Sequence, residues 1–137
     1  MTSGGAKCWG NNGDGELGDG TTTSKSSPVK IGSSSWSIIN CASTLSLAID
    51  INGRLYTWGY NGSGGLGDGT TIDKSSPVKI GTNSWTLVAT GDIMSAAIDT
   101  TGALYTWGYN AIKTLGDGTT IDKSTPVKIG TSSWITV

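Results

Sequence analysis

The side chains best equipped for chemistry sit in an acidic, glycine-rich run, GDGELGDG, from Gly13 to Gly20, which holds Asp14, Glu16 and Asp19. Clustered carboxylates are ligands for hard cations such as calcium, which takes about six to eight oxygens. The run lacks the ordered ligand spacing of a helix-loop-helix calcium site, and only Asp19 recurs, as Asp68 and Asp117. It therefore reads as Asp-Gly turns capped by threonine, with no metal or cofactor expected. Neither a Lys-Ser/Thr pair nor a helix pattern follows the glycines, so it is no phosphate cradle.

Nucleophilic and acid/base chemistry have little to draw on. The chain has no histidine, no serine in a strand-turn-helix setting and no carboxylate pair in an apolar setting, so no catalytic residue is expected and the chain is read as a non-enzyme. The Asp73-Lys74 and Asp122-Lys123 pairs read as solvated loop charges. Cys8 and Cys41 stand where other copies of a repeat carry threonine, and are expected to be free, half-buried thiols. Aromatic rings near loop ends can stack on sugars. Trp36, Trp85 and Trp134 begin apolar runs and are candidates for such a rim, together with Asp68 and Asp117.

The elements that carry these residues are repeated. LYTWGYNGSGGLGDG, Leu55 to Gly69, returns as LYTWGYNAIKTLGDG, Leu104 to Gly118, and in degraded form as AKCWGNNGDGELGDG, Ala6 to Gly20. Trp9, Trp58 and Trp107 are 49 residues apart, as are Trp36, Trp85 and Trp134, and Pro28, Pro77 and Pro126. A fixed period of this length means one supersecondary unit that buries its apolar faces against its neighbours.

One unit, Trp36 to Ser84, divides into four strand candidates: WSIINC (36–41), LSLAID (45–50), LYTWGY (55–60) and PVKIG (77–81). Asn52-Gly53 is expected to form a hairpin turn, since both residues tolerate positive φ, and the leading proline of the fourth strand suits an edge or a first position. Alternation puts Leu45, Leu47 and Ile49 opposite the small Ser46 and Ala48, as stacked sheets require. Nothing has helical period. The fold class is all-β, with propeller blades of four antiparallel strands.

The order Leu55, Tyr56, Trp58, Gly59, Asn61, Gly64, Leu66, Gly67, Gly69 and its copy Leu104, Tyr105, Trp107, Gly108, Asn110, Leu115, Gly116, Gly118 resembles the repeat of the regulator of chromosome condensation family. The resemblance implies a β-propeller of about seven blades that acts as a binding platform. It makes Trp9, Trp58, Trp107, Gly59, Gly108, Asn61, Asn110, Leu66 and Leu115 structural repeat positions. Two departures stand out: Leu45 and Met94 occupy a position where the family often has histidine, and Lys113 replaces the glycine found at Gly15 and Gly64. The units divide as a half-blade over 1–35, full blades over 36–84 and 85–133, and the first strand of a further blade over 134–137. That is a partial ring, completed by copies of the chain or belonging to a longer array.

The formal charge of -1 and pI near 5.1 argue against a nucleic-acid partner, which needs a clustered basic face. No run is apolar enough to span a bilayer and the first residues have no signal-peptide character, so a soluble product without a membrane partner is expected, in a bacterial or viral context. The expected function is a protein-protein interaction platform. The alternative is a glycan-binding or adhesive propeller. Nucleotide exchange on a small GTPase, which the resemblance also brings, fits least well, because the basic tail and the insertion that branch uses are missing.

Overall fold

The computed structural model describes residues 5–136. Its ten strands are β1 (Lys7–Gly10), β2 (Lys25–Lys30), β3 (Trp36–Cys41), β4 (Leu45–Asp50), β5 (Leu55–Gly59), β6 (Lys74–Lys79), β7 (Trp85–Thr90), β8 (Met94–Asp99), β9 (Leu104–Gly108) and β10 (Lys123–Ile129). They form two four-stranded antiparallel meanders, β3-β4-β5-β6 and β7-β8-β9-β10, and a two-stranded sheet, β1-β2. The described residues contain no helix. These are two full blades and a half-blade, as the period implies.

Strand boundaries shift where proline and glycine intervene. The third strand stops at Gly59, one residue early. The fourth starts at Lys74, three residues before Pro77, so the proline lies inside an outer edge strand rather than at its head. The pairing slips there, between Thr57↔Val78 and Gly59↔Lys74, and a residue without an N–H is tolerated at such an irregularity. In the β4-β5 turn only Gly53 has positive φ (75°), not Asn52. Asp50 does the rest of the work, its Oδ1 accepting from Asn52 N at 2.9 Å and Arg54 N at 3.0 Å. Trp134 to Thr136 are not in a strand, although Trp134 N donates to Gly102 O at 2.8 Å, as Trp85 N does to Gly53 O. The remainder of that expected strand, Val137, lies outside the described residues.

The core lies between blades. Leu45, Leu47 and Ile49 on one face of β4 pack with Trp85, Val88, Ala97 and Trp107 of the next blade. On the opposite face, Ser46 Oγ donates to the Glu16 carbonyl of the half-blade at 3.0 Å. Every residue of β4 is therefore buried. Each blade pair repeats this joint: Ser95 Oγ donates to Gly65 O at 2.7 Å.

Candidate functional site

The loop after each third strand is built on one asparagine. Asn61 is fully buried. Its Nδ2 donates to Asp68 Oδ1 (3.2 Å), Thr70 O (3.0 Å) and Ile72 O (3.2 Å), while its Oδ1 accepts from Leu66 N at 2.9 Å. Asn110 does the same with Asp117, Thr119, Ile121 and Leu115, and Asn12 with Asp19, Thr21, Thr23 and Leu17. One buried amide thus holds a loop of a dozen residues that has no ladder of its own, satisfying backbone groups that would be costly to leave unpaired.

The aspartates complete the clamp. Asp68 Oδ1 accepts from Thr70 N (2.9 Å) and Thr70 Oγ1 (2.7 Å), and its Oδ2 faces Lys74 Nζ at 3.4 Å. Asp19-Lys25 (3.1 Å) and Asp117-Lys123 (3.3 Å) are the equivalent ion pairs. Burial pushes the Asp19 carboxyl up, but hydrogen bonds from Thr21 and Lys25 and the lysine charge outweigh it and hold it at about 2. Asp68 is lowered in the same way, and Asp117 is held low first by the backbone N–H of Thr119.

This geometry corrects two expectations. Asp68 and Asp117 are not rim ligands, because their side chains are only 7% and 6% exposed and their oxygens are occupied within the loop. Asp73 and Asp122 are exposed loop charges, but neither is paired with the lysine that follows it. Asp73 and Asp122 accept from the N–H of Asn61 and Asn110, each at 2.7 Å, and the lysines turn to Asp68 and Asp117 instead. In the acidic run, Glu16 takes Asn11 Nδ2 and Asp14 N, whereas Asp19 takes Thr21 and Lys25, so its carboxylates do not converge.

The aromatic positions divide differently from the sequence expectation. Trp58 and Trp107 are fully buried, packed over Gly18 and Gly67 of the preceding unit, where an added Cβ would stand 2.6 Å from the indole nitrogen. Trp9 shares the repeat position but is 61% exposed. Trp85 is in the core rather than at a rim, since the first strand of a blade lies beneath β4 of the blade before it, and its ring meets Tyr105 edge-on at 5.2 Å. Trp36 is half-buried against Tyr56, and Trp134 is exposed. Gly59 and Gly108 have φ near 105°, and a Cβ there would strike the backbone of Thr44 and Ile93. Both cysteines are free. Cys8 Sγ donates to Leu17 O, as Thr57 Oγ1 and Thr106 Oγ1 do to Leu66 O and Leu115 O, and burial first, then nearby Cys41 and Asp19, push its thiol up to about 11.

What sequence reading missed are the isoleucines on the clamped loops. Ile72 and Ile121 are 67% and 66% exposed, and Ile112 projects from the third loop. Their backbones are not loose: Ile72 N donates to Thr70 Oγ1, and Ile72 O accepts from both Asn61 Nδ2 and Lys74 Nζ. The signal was present as one large apolar residue in the polar run Thr-Thr-Ile-Asp-Lys, repeated at the same spacing.

The model of the regulator of chromosome condensation (RCC1) repeat matches residues 4–49, 52–98 and 101–137. The chain belongs to the RCC1 repeat family. Solved structures similar to these RCC1 repeats include human WBSCR16, at 23% identity and a TM-score of 0.82 over 94% of this chain, and Prp20p of Saccharomyces cerevisiae, at 22% identity and 0.83 over 96%. A third is yeast RCC1 (Prp20) bound to Kap60, at 22% and 0.83 over 96%. Prp20p was described with its binding properties to Gsp1p and histones. The chain spans about a third of the length of these proteins, 34–35%, and at this identity the likeness is one of fold. Among curated proteins none matches. The fold is the RCC1 β-propeller blade.

Proposed function

We propose that this chain is a non-catalytic protein-interaction module whose contact surface is the row of clamped loops carrying Ile72, Ile112 and Ile121. The observation that carries the reading is the pairing of high side-chain exposure with a pinned backbone at Ile72 and Ile121. Rigid apolar residues lose little entropy on binding and gain the full value of desolvation. The protein partners of its structural neighbours support the class of ligand. The clamp carboxylates serve as hydrogen-bond acceptors for loop donors, which is a structural and not an acid/base arrangement.

Immobilised protein and an Ile72→Ser/Ile112→Ser/Ile121→Ser variant would be compared for retained proteins. Loss of the retained set with an unchanged melting temperature is expected; the same set on both would remove the surface from consideration. The glycan reading is weakened by the burial of Trp85, and a glycan array decides it, since saccharide binding lost in Trp134→Ala would favour a lectin.

A second copy is the other partner with support. Gly18 and Gly67 carry the indoles of Trp58 and Trp107, whereas at Gly116 the nearest heavy atom to an added Cβ is Ile129 Cγ2 at 4.0 Å, and Trp9 has no such seat among the described residues. Native mass measurement tests it: a single multimer supports self-association and a monomer at all concentrations opposes it.

A further inference from the structure

The joint between the two full blades is open on its outer side, and the joint before it is not. In each, the glycine that follows one outer strand looks toward the proline of the next. At Gly32 an added Cβ would meet Pro77 Cγ at 3.5 Å and Trp36 Cζ2 at 3.8 Å, whereas at Gly81 nothing lies within 4 Å. The indoles differ in the same way. Trp36 Nε1 donates to Ile31 O at 3.3 Å, and its counterpart Trp85 Nε1 has no partner among the described residues.

Two cavities, of about 520 Å³ and 370 Å³, share Ile80, Gly81 and Pro126 and so form one groove between β6 and β10. The larger runs past Val78 and Lys79 toward Lys74; the smaller ends on Trp85 and Tyr105, beside Thr82 and Asn83. The two ends differ chemically. At the first, Lys74 is held by Asp68 at 3.4 Å, but Lys79 is exposed and belongs to no ion pair among the described residues, which leaves one positive charge without a counterion. At the second, Ile80 and Trp85 are 2% and 4% exposed and form an apolar floor, with half-buried Tyr105 and Pro126 beside them. The groove also borders an open sheet edge, because β6 has β5 on one side and no strand on the other among the described residues. Ile80 N donates to Leu55 O, so by alternation the N–H and C=O of Lys79 point away from β5.

We infer that this groove binds an extended peptide that carries a carboxylate side chain and, a few residues along, a compact apolar residue such as Val, Ile, Leu or Pro. The carboxylate pairs with Lys79, the apolar residue fills the hollow over Ile80 and Trp85, and the peptide backbone bonds to the open edge at Lys79. A saccharide fits less well, because stacking needs an exposed ring face and Trp85 is buried. None of the loop isoleucines lines the groove, so its failure leaves the reading of those loops intact.

A display library of random nonapeptides would be selected against the full chain, and the enriched sequence titrated as a labelled peptide by fluorescence anisotropy. One motif is expected, with Asp or Glu at a fixed distance from the apolar residue. Lys79→Glu should weaken its binding about three- to tenfold, and a peptide with lysine in place of the acid should regain affinity for that variant. Asn83→Trp, which fills the exposed mouth of the hollow, should weaken binding about tenfold or more. Both variants change exposed side chains and should keep the parent melting temperature. No enriched motif, a motif without a carboxylate, or binding indifferent to both variants would overturn the proposal. Binding lost in Ile72→Ser/Ile112→Ser/Ile121→Ser and kept in Lys79→Glu would also overturn it, assigning the peptide to the loops.

Discussion

The indole Nε1 of Trp58 donates to the backbone carbonyl of Glu16 at 2.9 Å, tying one blade to the half-blade before it across 42 residues of sequence. Trp107 occupies the same seat over Gly67, yet its buried Nε1 has no partner among the described residues. The two rings bury the same surface and differ by one hydrogen bond. Replacing Trp58 by Phe removes a made bond in addition to ring area, whereas the same change at Trp107 also relieves an unpaired donor, which costs about 1–3 kcal/mol when buried. Trp107→Phe should therefore be less destabilising than Trp58→Phe by about 1 kcal/mol or more in urea unfolding. Equal losses would mean that the bond across the joint contributes nothing.

The asparagine clamp gives a larger effect. Asn61→Ala leaves the buried Leu66 N–H and the Thr70 carbonyl without this partner, and the Ile72 carbonyl with Lys74 Nζ alone. The loss of several buried hydrogen bonds at one residue predicts destabilisation of about 2–4 kcal/mol. It should be accompanied by faster amide exchange across residues 62–73. A fall in stability without faster loop exchange would place the role of Asn61 outside the loop.

How far the sequence was readable follows from these residues. The positions of β4 and β5 were legible because a strand between two others alternates large and small, and Leu45-Ser46-Leu47-Ala48-Ile49 does so without interruption. The burial of Trp85 was not. Alternation tells which side chains share a face, not that this face lies under the neighbouring blade. Asn61 was visible as a repeated residue, but its role depends on Leu66, Thr70 and Ile72 arriving around it in space. The strand start at Lys74 was hidden by Pro77, whose presence marks an irregular pairing rather than a boundary.

Acid should weaken the fold in a defined window. The Asp19 carboxyl sits at about 2 in the folded chain against 3.8 without its partners, and Asp50, Asp68, Asp99 and Asp117 are lowered too. A depressed folded value means that protons bind the unfolded chain more readily. The stabilisation is then complete above the unfolded value and disappears as pH falls through the folded one. The midpoint of denaturant unfolding should hold steady down to about pH 4 and drop between about pH 4 and pH 2. Asp19→Asn should be less stable than the parent at neutral pH and lose less over that window. An identical slope for parent and variant would remove Asp19 from the acid response.

Lys113 has φ of 64° and stands where Gly15 and Gly64 have φ of 83° and 76°. At those glycines the next blade comes so close that a Cβ would lie 2.5 Å from Ser75 Cα or 2.7 Å from Ser124 Cα, so glycine is required by contact as well as by conformation. At Lys113 only the conformation is at issue. A left-handed non-glycine residue costs roughly 1–2 kcal/mol, and a glycine there would give back about 0.5–1 kcal/mol through the freer unfolded chain. Lys113→Gly should therefore leave stability unchanged or raise it by up to about 1 kcal/mol. The reverse change, Gly64→Lys, adds collision with Ser124 to the same backbone strain and should cost about 3 kcal/mol or more. Denaturant melts of the two variants check both figures. A clear loss in Lys113→Gly would show that the lysine side chain makes a stabilising contact that outweighs its backbone, and a mild Gly64→Lys would show that the blade joint can open.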